Sequence, residues 1–523
     1  MQFSLFNESK KEMTEFVFRK TGNFWVDNGI VNFYGILSDM FRQKEFDLVA
    51  ALSTNGLTLQ CEPDKLETIL DRAKEILIQR YTSETKNFGW YYDGELKIYQ
   101  KRDWMPNAKY FYGHLPPTPT GKLLVSDLDD DMKESVKEFF DQHKKQKFKY
   151  YGSGKNAYVP TSVMHYDIPA SYSFGKGETR CDFCGSGTKG KMKDFAVNKY
   201  NMPFIVNKDR MKTFYSQHTV AYQMCSFCSY ASIFACSGVF YNISGEQGVF
   251  FIPYDSDLTS LEKFYRFLRH EPETDSPFIN YKSFKIKANY LHENLLLFLY
   301  SVYDQSFQEM RREQRLELLN KKIYGFIGNK QGNNVTFYDL TEFSRVAELF
   351  ELFSILRAAD FGKKEFSAFL GNFWEKDKKE TILRERFATK LLALEYLNDV
   401  VEEQMYTNFE SLPYVGRFIT TYNTEVDGMD EKMVSMCKRI GNSIGAQCRE
   451  ANNKGALYSI RNSKNLNEFL RVLSQLQYQV DISFSDTLFL EIDDDNWERY
   501  KSLISIFAMN SFSYRPEQKK EVN

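Results

Sequence analysis

Apolar residues recur at helical spacing over several stretches of the sequence. "NGIVNFYGILSDMF" carries a stripe of this kind, with Asp27 or Asn28 placed to cap it, and "KLETILDRAKEILIQRY" repeats the pattern from Lys65 to Tyr81, so the first 80 residues read as mostly helical. "FGWYYDGELKIYQKRDW" alternates instead and turns at Asp93-Gly94, which predicts a β-hairpin. "HLPPTPTGK" is a loop, because its prolines fix φ and remove donors. "DLDDDMKESVKEFFDQHKKQKF" predicts an acid-capped helix that ends in lysines. From about Leu258 the helical period returns in "LEKFYRFLRH", "LHENLLLFLYSVYDQSFQEMRREQRLELLNKK", "EFSRVAELFELFSILRAADF" and "ETILRERFATKLLALEYLNDVVEEQMY". Short strands, "KIYGFIGN" and "NNVTFYDL", interrupt it. Three amphipathic segments beyond residue 428 predict a terminal helical bundle.

This pattern implies a multidomain α+β protein. A mixed N-terminal region is expected at 1–135, a basic cysteine-bearing region at 136–257, a mainly helical region at 258–407 and a C-terminal helical bundle at 408–523. The last boundary falls where Pro413 and Gly416 break the helical period. A chain of 523 residues is too long for one core. Its 42% hydrophobic and 26% charged residues fit a globular protein. The sequence start lacks a signal-peptide pattern, and "ENLLLFLYSVY" is too short to span a bilayer, so a cytoplasmic protein without a membrane partner is expected.

Charge changes the picture locally. The protein's net charge is −2, yet Lys144 to Lys212 hold fourteen Lys or Arg against five Asp or Glu, a balance of +9 that leaves −11 for the rest. Within this segment "HKKQKFKYYGSGKNAY" interleaves Lys144, Lys145, Lys147, Lys149 and Lys155 with Phe148, Tyr150, Tyr151 and Tyr158. Lysines neutralise phosphates, while the aromatics either stack bases or pack inward. Gly152 and Gly154 suggest a mobile turn that would bring Lys155 and Asn156 to a base edge. Lys189, Lys191 and Lys193 form a second basic loop. A weaker basic set, Lys432, Lys438, Arg439, Arg449 and Arg461, lies in the terminal bundle.

Four of the eight cysteines form two C-x-x-C pairs, Cys181/Cys184 and Cys225/Cys228, separated by forty residues. Two hairpin-like knuckles of this kind complete a tetrahedron of thiolates around a structural Zn²⁺, with Gly185 and Gly187 easing the first turn. Four thiolates leave no open position for catalysis. Buried, metal-free thiols are the plainer alternative. "DLDDD" at Asp127–Asp131 and "EIDDD" at Glu491–Asp495 precede predicted helices and read as caps before they read as Mg²⁺ ligands. "GSGKN" does not match a nucleotide-binding loop. A binding protein is therefore expected rather than an enzyme.

"TGNFWVDNGI", Thr21 to Ile30, resembles the T-G-[ND]-P-[FW]-x-D-x-G signature of large subunits of type I CRISPR Cascade complexes, of the I-B and related I-A kinds; Phe24 stands where relatives often carry proline. The two C-x-x-C pairs in the middle of the sequence and "ALYSIRNSKNLNEFLRVL", Ala456 to Leu473, follow in the matching order. The resemblance implies a non-catalytic subunit that recognises the protospacer-adjacent motif in target double-stranded DNA and contacts the 5′ handle of the guide RNA. It also implies backbone-repeat and guide-handle subunits as partners, together with a recruited helicase–nuclease. In several relatives the C-terminal part is also made separately as a small subunit, for which Met405, Met429 and Met433 are candidate starts. Two alternatives stay open: a stand-alone zinc-containing nucleic-acid enzyme such as a nuclease, and a structural protein whose basic patch meets an acidic partner.

Overall fold

The computed structural model describes residues 13–174, 177–188, 197–204, 211–213, 216–220, 223–268, 286–332, 334–375, 380–479 and 490–513. The protein is α+β and multidomain, with a cysteine cluster in its middle and a helical C-terminal part. It folds as two compact units, Met1–Asn280 with Lys321–Glu342, and Tyr281–Asn320 with Phe343–Asn523.

The first unit opens with β1 (Thr14–Arg19), α1 (Phe24–Arg42), β2 (Leu48–Ser53), β3 (Gly56–Cys61) and α2 (Leu66–Tyr81). The expectation of a mostly helical start is corrected here: an antiparallel sheet in the order β1-β3-β2 lies among the helices. The short alternating run "TEFVFR" and the Asn55-Gly56 turn are the signals that mark it.

Next come β4 (Thr82–Tyr92) and β5 (Leu96–Trp104), the expected hairpin, whose turn holds Gly94 at φ +103°. After α3 (Ala108–Phe111), β6 (Lys122–Leu124) pairs with β7 (Tyr158–Pro160) around α4 (Asp130–Gln142). The cysteine region contributes β8 (Thr179–Arg180), β9 (Gly187–Thr188), β10 (Met211–Thr213), β11 (Ser216–Val220) and α5 (Ser226–Ile233). A four-stranded sheet follows in the order β12 (Phe240–Ser244), β13 (Gln247–Tyr254), β14 (Lys322–Gln331), β15 (Asn334–Phe343), with α6 (Leu258–Leu268) after β13.

The Thr21–Gly29 stretch is the junction of this unit. The cap of α1 is Asn23, not Asp27 or Asn28: its side chain accepts from Trp25 N at 3.0 Å and Val26 N at 3.1 Å. Asp27 folds back instead, accepting from Thr21 N at 2.7 Å, Thr21 Oγ1 at 2.8 Å and Gly22 N at 3.0 Å. Asn28 is fully buried and donates to Phe24 O and Pro253 O, while Tyr265 donates to its oxygen. Phe24 is the first helical residue, a position that suits proline; here its ring stacks on Tyr324 at 4.5 Å. At Gly29 the backbone of α5 comes so close that a Cβ would lie 2.2 Å from Ala231 O.

The second unit is built from helices: α7 (Leu291–Glu309), α8 (Arg312–Leu319), α9 (Val346–Ala358), α10 (Lys363–Gly371), α11 (Ile382–Ala393), α12 (Asn398–Asn408), α13 (Val415–Glu425), α14 (Glu431–Glu450), α15 (Lys454–Arg461), α16 (Leu466–Gln479) and α17 (Trp497–Ser513). Two stretches with one continuous period are each broken into two helices, at Met310–Arg311 and at Leu394, whose φ is +54°. A buried ion pair, Arg384 to Glu293 at 2.6 Å, ties α11 to the start of α7. Among the described residues no helix is long and apolar enough to cross a membrane.

Replacing Gly29 by alanine is expected to destabilise the first unit by about 1–3 kcal/mol, since overpacking against a backbone carbonyl outweighs the roughly 1 kcal/mol gained in helix propensity. Urea unfolding followed by tryptophan fluorescence checks this; an unchanged or raised midpoint contradicts the close crossing.

Candidate metal centre and nucleic-acid interface

The first cysteine pair sits in the turn of a short hairpin, with Thr179 opposite Thr188 and Arg180 opposite Gly187. Cys181 N donates to Ser186 O at 3.0 Å and Gly185 N to Cys181 O at 2.9 Å, closing a knuckle. Gly185 has φ +70°, as the turn requires. Gly187 plays a different part from the one expected. Its φ is not positive, but a Cβ there would meet Gly177 O at 2.2 Å, so it admits a neighbouring strand of backbone.

The second pair corrects the expectation of two hairpin knuckles. Cys225 is the N-cap of α5 and Cys228 lies one turn along; the Cys225 sulfur accepts from Cys228 N at 3.5 Å. This helix belongs to the core of the unit. Phe227 meets Phe18 at 5.1 Å and Phe174 at 4.7 Å, and the buried Tyr230 donates to Leu70 O at 2.6 Å. The knuckle reaches the helix through Asp182, whose N–H donates to Gln223 O at 2.9 Å and whose carboxylate accepts from Gln223 N at 2.6 Å. Cys225 N also donates to the Cys181 sulfur at 3.3 Å.

The four sulfurs lie within 4.8 Å of one another, with Cys181–Cys228 at 3.9 Å and Cys184–Cys225 at 3.7 Å. These separations are far beyond a disulfide's S–S bond of about 2 Å. They match the edge of a tetrahedron of thiolates around a metal, which is about 3.8 Å for bonds of about 2.3 Å. Cys181, Cys225 and Cys228 are buried and Cys184 half-buried. Cys184 is held far below the ordinary thiol value by hydrogen bonds from Cys181, Cys225 and Cys228. Cys225 and Cys228 are pushed well above it by their hydrogen bonds to Cys181 and Cys184. Cys181 is also lowered, so two of the four thiols lose a proton readily and two resist, and a bound cation would remove that resistance. The set fits a four-coordinate metal ion. Cys236 stands apart as a core thiol, 3.1 Å from the Tyr112 hydroxyl.

The lysine-rich segment belongs to a second small module of the same unit. Trp90, Leu128, Val136, Phe139 and Val159 form its core, with Phe148, Tyr150 and Tyr151 packed against it. The Trp90 indole donates to Lys149 O at 3.1 Å, Phe148 stacks on Phe139 at 5.4 Å, and Tyr151 stacks on both Trp90 and Tyr158 at 6.0 Å. Of the two roles open to these aromatics, the structure assigns inward packing. The cations between them, Lys144, Lys145, Lys147, Lys149 and Lys155, are all exposed, as is Asn156. Lys147 has φ +53° and ends the short turn Lys144–Gln146 that follows α4. Lys144 pairs with Asp141 at 3.3 Å, an exposed contact of little energetic weight.

The Ser153–Tyr158 loop is a closed turn. Tyr151 and Tyr158 exchange backbone hydrogen bonds of 3.2 and 2.8 Å, Ala157 N donates to Gly154 O at 3.1 Å, and Gly152 is fixed at φ +74°. Lys155 and Asn156 are therefore presented on a framework rather than on the mobile turn expected. Lys189, Lys191 and Lys193 lie outside the described residues. In the second unit Lys432, Lys438, Arg439 and Arg449 are exposed along α14, whereas Arg461 lies over the Tyr406 ring at 4.8 Å. Asp129 caps α4, accepting from Met132 N at 2.7 Å, and Asp493 holds the turn ahead of α17, accepting from Asn496 N at 3.0 Å.

A scan against protein-family models and a search of curated proteins found no match for this protein.

Replacing Cys228 by serine is expected to lower bound metal from about one ion per protein molecule to a small fraction. The variant's knuckle at 177–188 should become a site of protease cleavage while α5 stays packed. Wild-type affinity should fall as pH is lowered, because protons compete for the thiolates. Elemental analysis with limited proteolysis checks this, and undiminished metal in the variant contradicts the four-sulfur site.

Proposed function

We propose that this protein is the non-catalytic large subunit of an RNA-guided type I Cascade surveillance complex, with a structural Zn²⁺ on its four cysteines. The observation that carries the reading is the division of labour in the lysine-rich module. Its aromatics are spent on a core and its cations, with Asn156, face solvent on a closed framework. That arrangement suits phosphate gripping beside a short base-reading turn. The Thr21–Gly29 motif that carries the family resemblance is also a junction of the unit, in which the Asn23, Asp27 and Asn28 side chains make specific hydrogen bonds. One aspartate of each acidic cluster is engaged in a turn at a helix start, which favours binding over the nuclease alternative.

In this account base pairing by the guide RNA reads most of the target, and the protein reads a short adjacent motif in duplex DNA. The zinc fastens the knuckle to α5 and so fixes the segments that leave it. Lys144, Lys145, Lys147 and Lys149 grip phosphates without reading sequence. Lys155 and Asn156 enter a groove, where each good bidentate base contact discriminates by about 1–3 kcal/mol. Further surfaces meet the guide's 5′ handle, the neighbouring subunits and the helicase–nuclease.

Alanine at Lys144, Lys145, Lys147 and Lys149 together should weaken duplex binding and flatten its dependence on log salt by about 0.9 for each phosphate that is no longer neutralised. Titrations of the assembled complex at several salt concentrations measure this. A slope equal to wild type contradicts the proposed interface.

A further inference from the structure

Among the described residues of the second unit, one buried cation has no carboxylate partner. Arg315 on α8 is 6% exposed. Its guanidinium lies over the rings of Tyr303 at 5.5 Å and Phe307 at 4.6 Å, both on α7. It donates to Met310 O at 3.2 Å, and its buried Nε has no acceptor. Two described carboxylates on α7 and α9 are engaged with other cations. Asp304 binds Arg357 at 2.9 Å and Lys363 at 3.2 Å, and Glu351 binds Arg312. Arg357, on α9, covers the same Phe307 ring at 3.8 Å. Two guanidinium groups therefore share one half-exposed ring, and among the described residues only Arg357 has a carboxylate.

Guanidinium stays charged at any physiological pH, and a charge removed from water is costly unless an anion meets it. We propose that Arg315, supported by Arg357 across Phe307, is a binding site for a phosphate group. A planar fork of N–H donors suits the oxygens of a phosphate, and the second guanidinium adds to the field that a fully charged group would feel. With Phe307 covered by guanidinium, the site takes the phosphate and not a base, so it is blind to sequence. The phosphate belongs either to a nucleic-acid strand or to a small free molecule. The first source rests on the function proposed above; the site itself does not.

The test uses the full-length protein and Arg315→Met, which keeps a long apolar side chain over the rings. Thermal unfolding is followed against inorganic phosphate, with chloride controls at equal ionic strength, and a fluorescent oligothymidylate is titrated in parallel. Phosphate should raise the wild-type melting temperature and leave Arg315→Met unmoved. If nucleic acid is the source, the variant should also bind the oligonucleotide roughly tenfold more weakly, with a salt slope smaller by about 0.7. A phosphate response without that oligonucleotide difference supports the site with a free phosphate compound as ligand. Should Arg315→Met not fold, Arg315→Lys retains charge without the fork and should lose most of the response. The alanine variant of Lys144, Lys145, Lys147 and Lys149 should keep the full response, which separates this site from the interface of the first unit. Equal phosphate shifts in wild type and the Arg315 variant, or equal shifts with chloride, overturn the proposal.

Discussion

Four sulfur atoms confined within 4.8 Å cannot all carry charge unless a cation joins them, and the architecture of the first unit turns on that constraint. Two of the four are fixed by the core. Cys225 and Cys228 open a helix whose next turn buries Tyr230 and Ala231 against α1, while Phe227 between them packs on Phe18 of β1. The other two belong to a hairpin of two-residue strands, too short to be stable alone. A metal held by all four would transmit the rigidity of the core to a knuckle that cannot supply its own, and the bridge between Asp182 and Gln223 aligns the two.

The same economy recurs in the lysine-rich module. An exposed lysine costs little in water, whereas ordering it against a backbone costs side-chain entropy unless neighbouring groups already fix that backbone. Here the alternating aromatics do so by filling a small core around Trp90, and the cations ride on a backbone that packing has already fixed. Phosphate binding would then act on a preorganised surface.

Much of this was legible in the residues. The β4–β5 hairpin announced itself through Asp93-Gly94, the four-sulfur cluster through the doubled C-x-x-C, and the Asp129 cap through its place ahead of an apolar stripe. What escaped was set by tertiary context. β1 to β3 are short and lie next to strongly periodic helices, so their alternation was hidden. Asn23 outcompetes Asp27 as a cap because Asp27 is drawn back to Thr21 and Gly22. The helical setting of Cys225 and Cys228 followed from the packing of α5 at Gly29, which no local signal encodes. Arg315 was invisible for the opposite reason: a single arginine in a charged stretch gives no hint that it will be buried without a carboxylate.

X-ray absorption at the zinc edge of the purified full-length protein tests the central claim most directly. The account predicts one zinc per protein molecule with a first shell of four sulfurs at about 2.3 Å and no light-atom ligand. A shell dominated by nitrogen or oxygen, or protein free of zinc whose cysteine region is nonetheless folded, would contradict it.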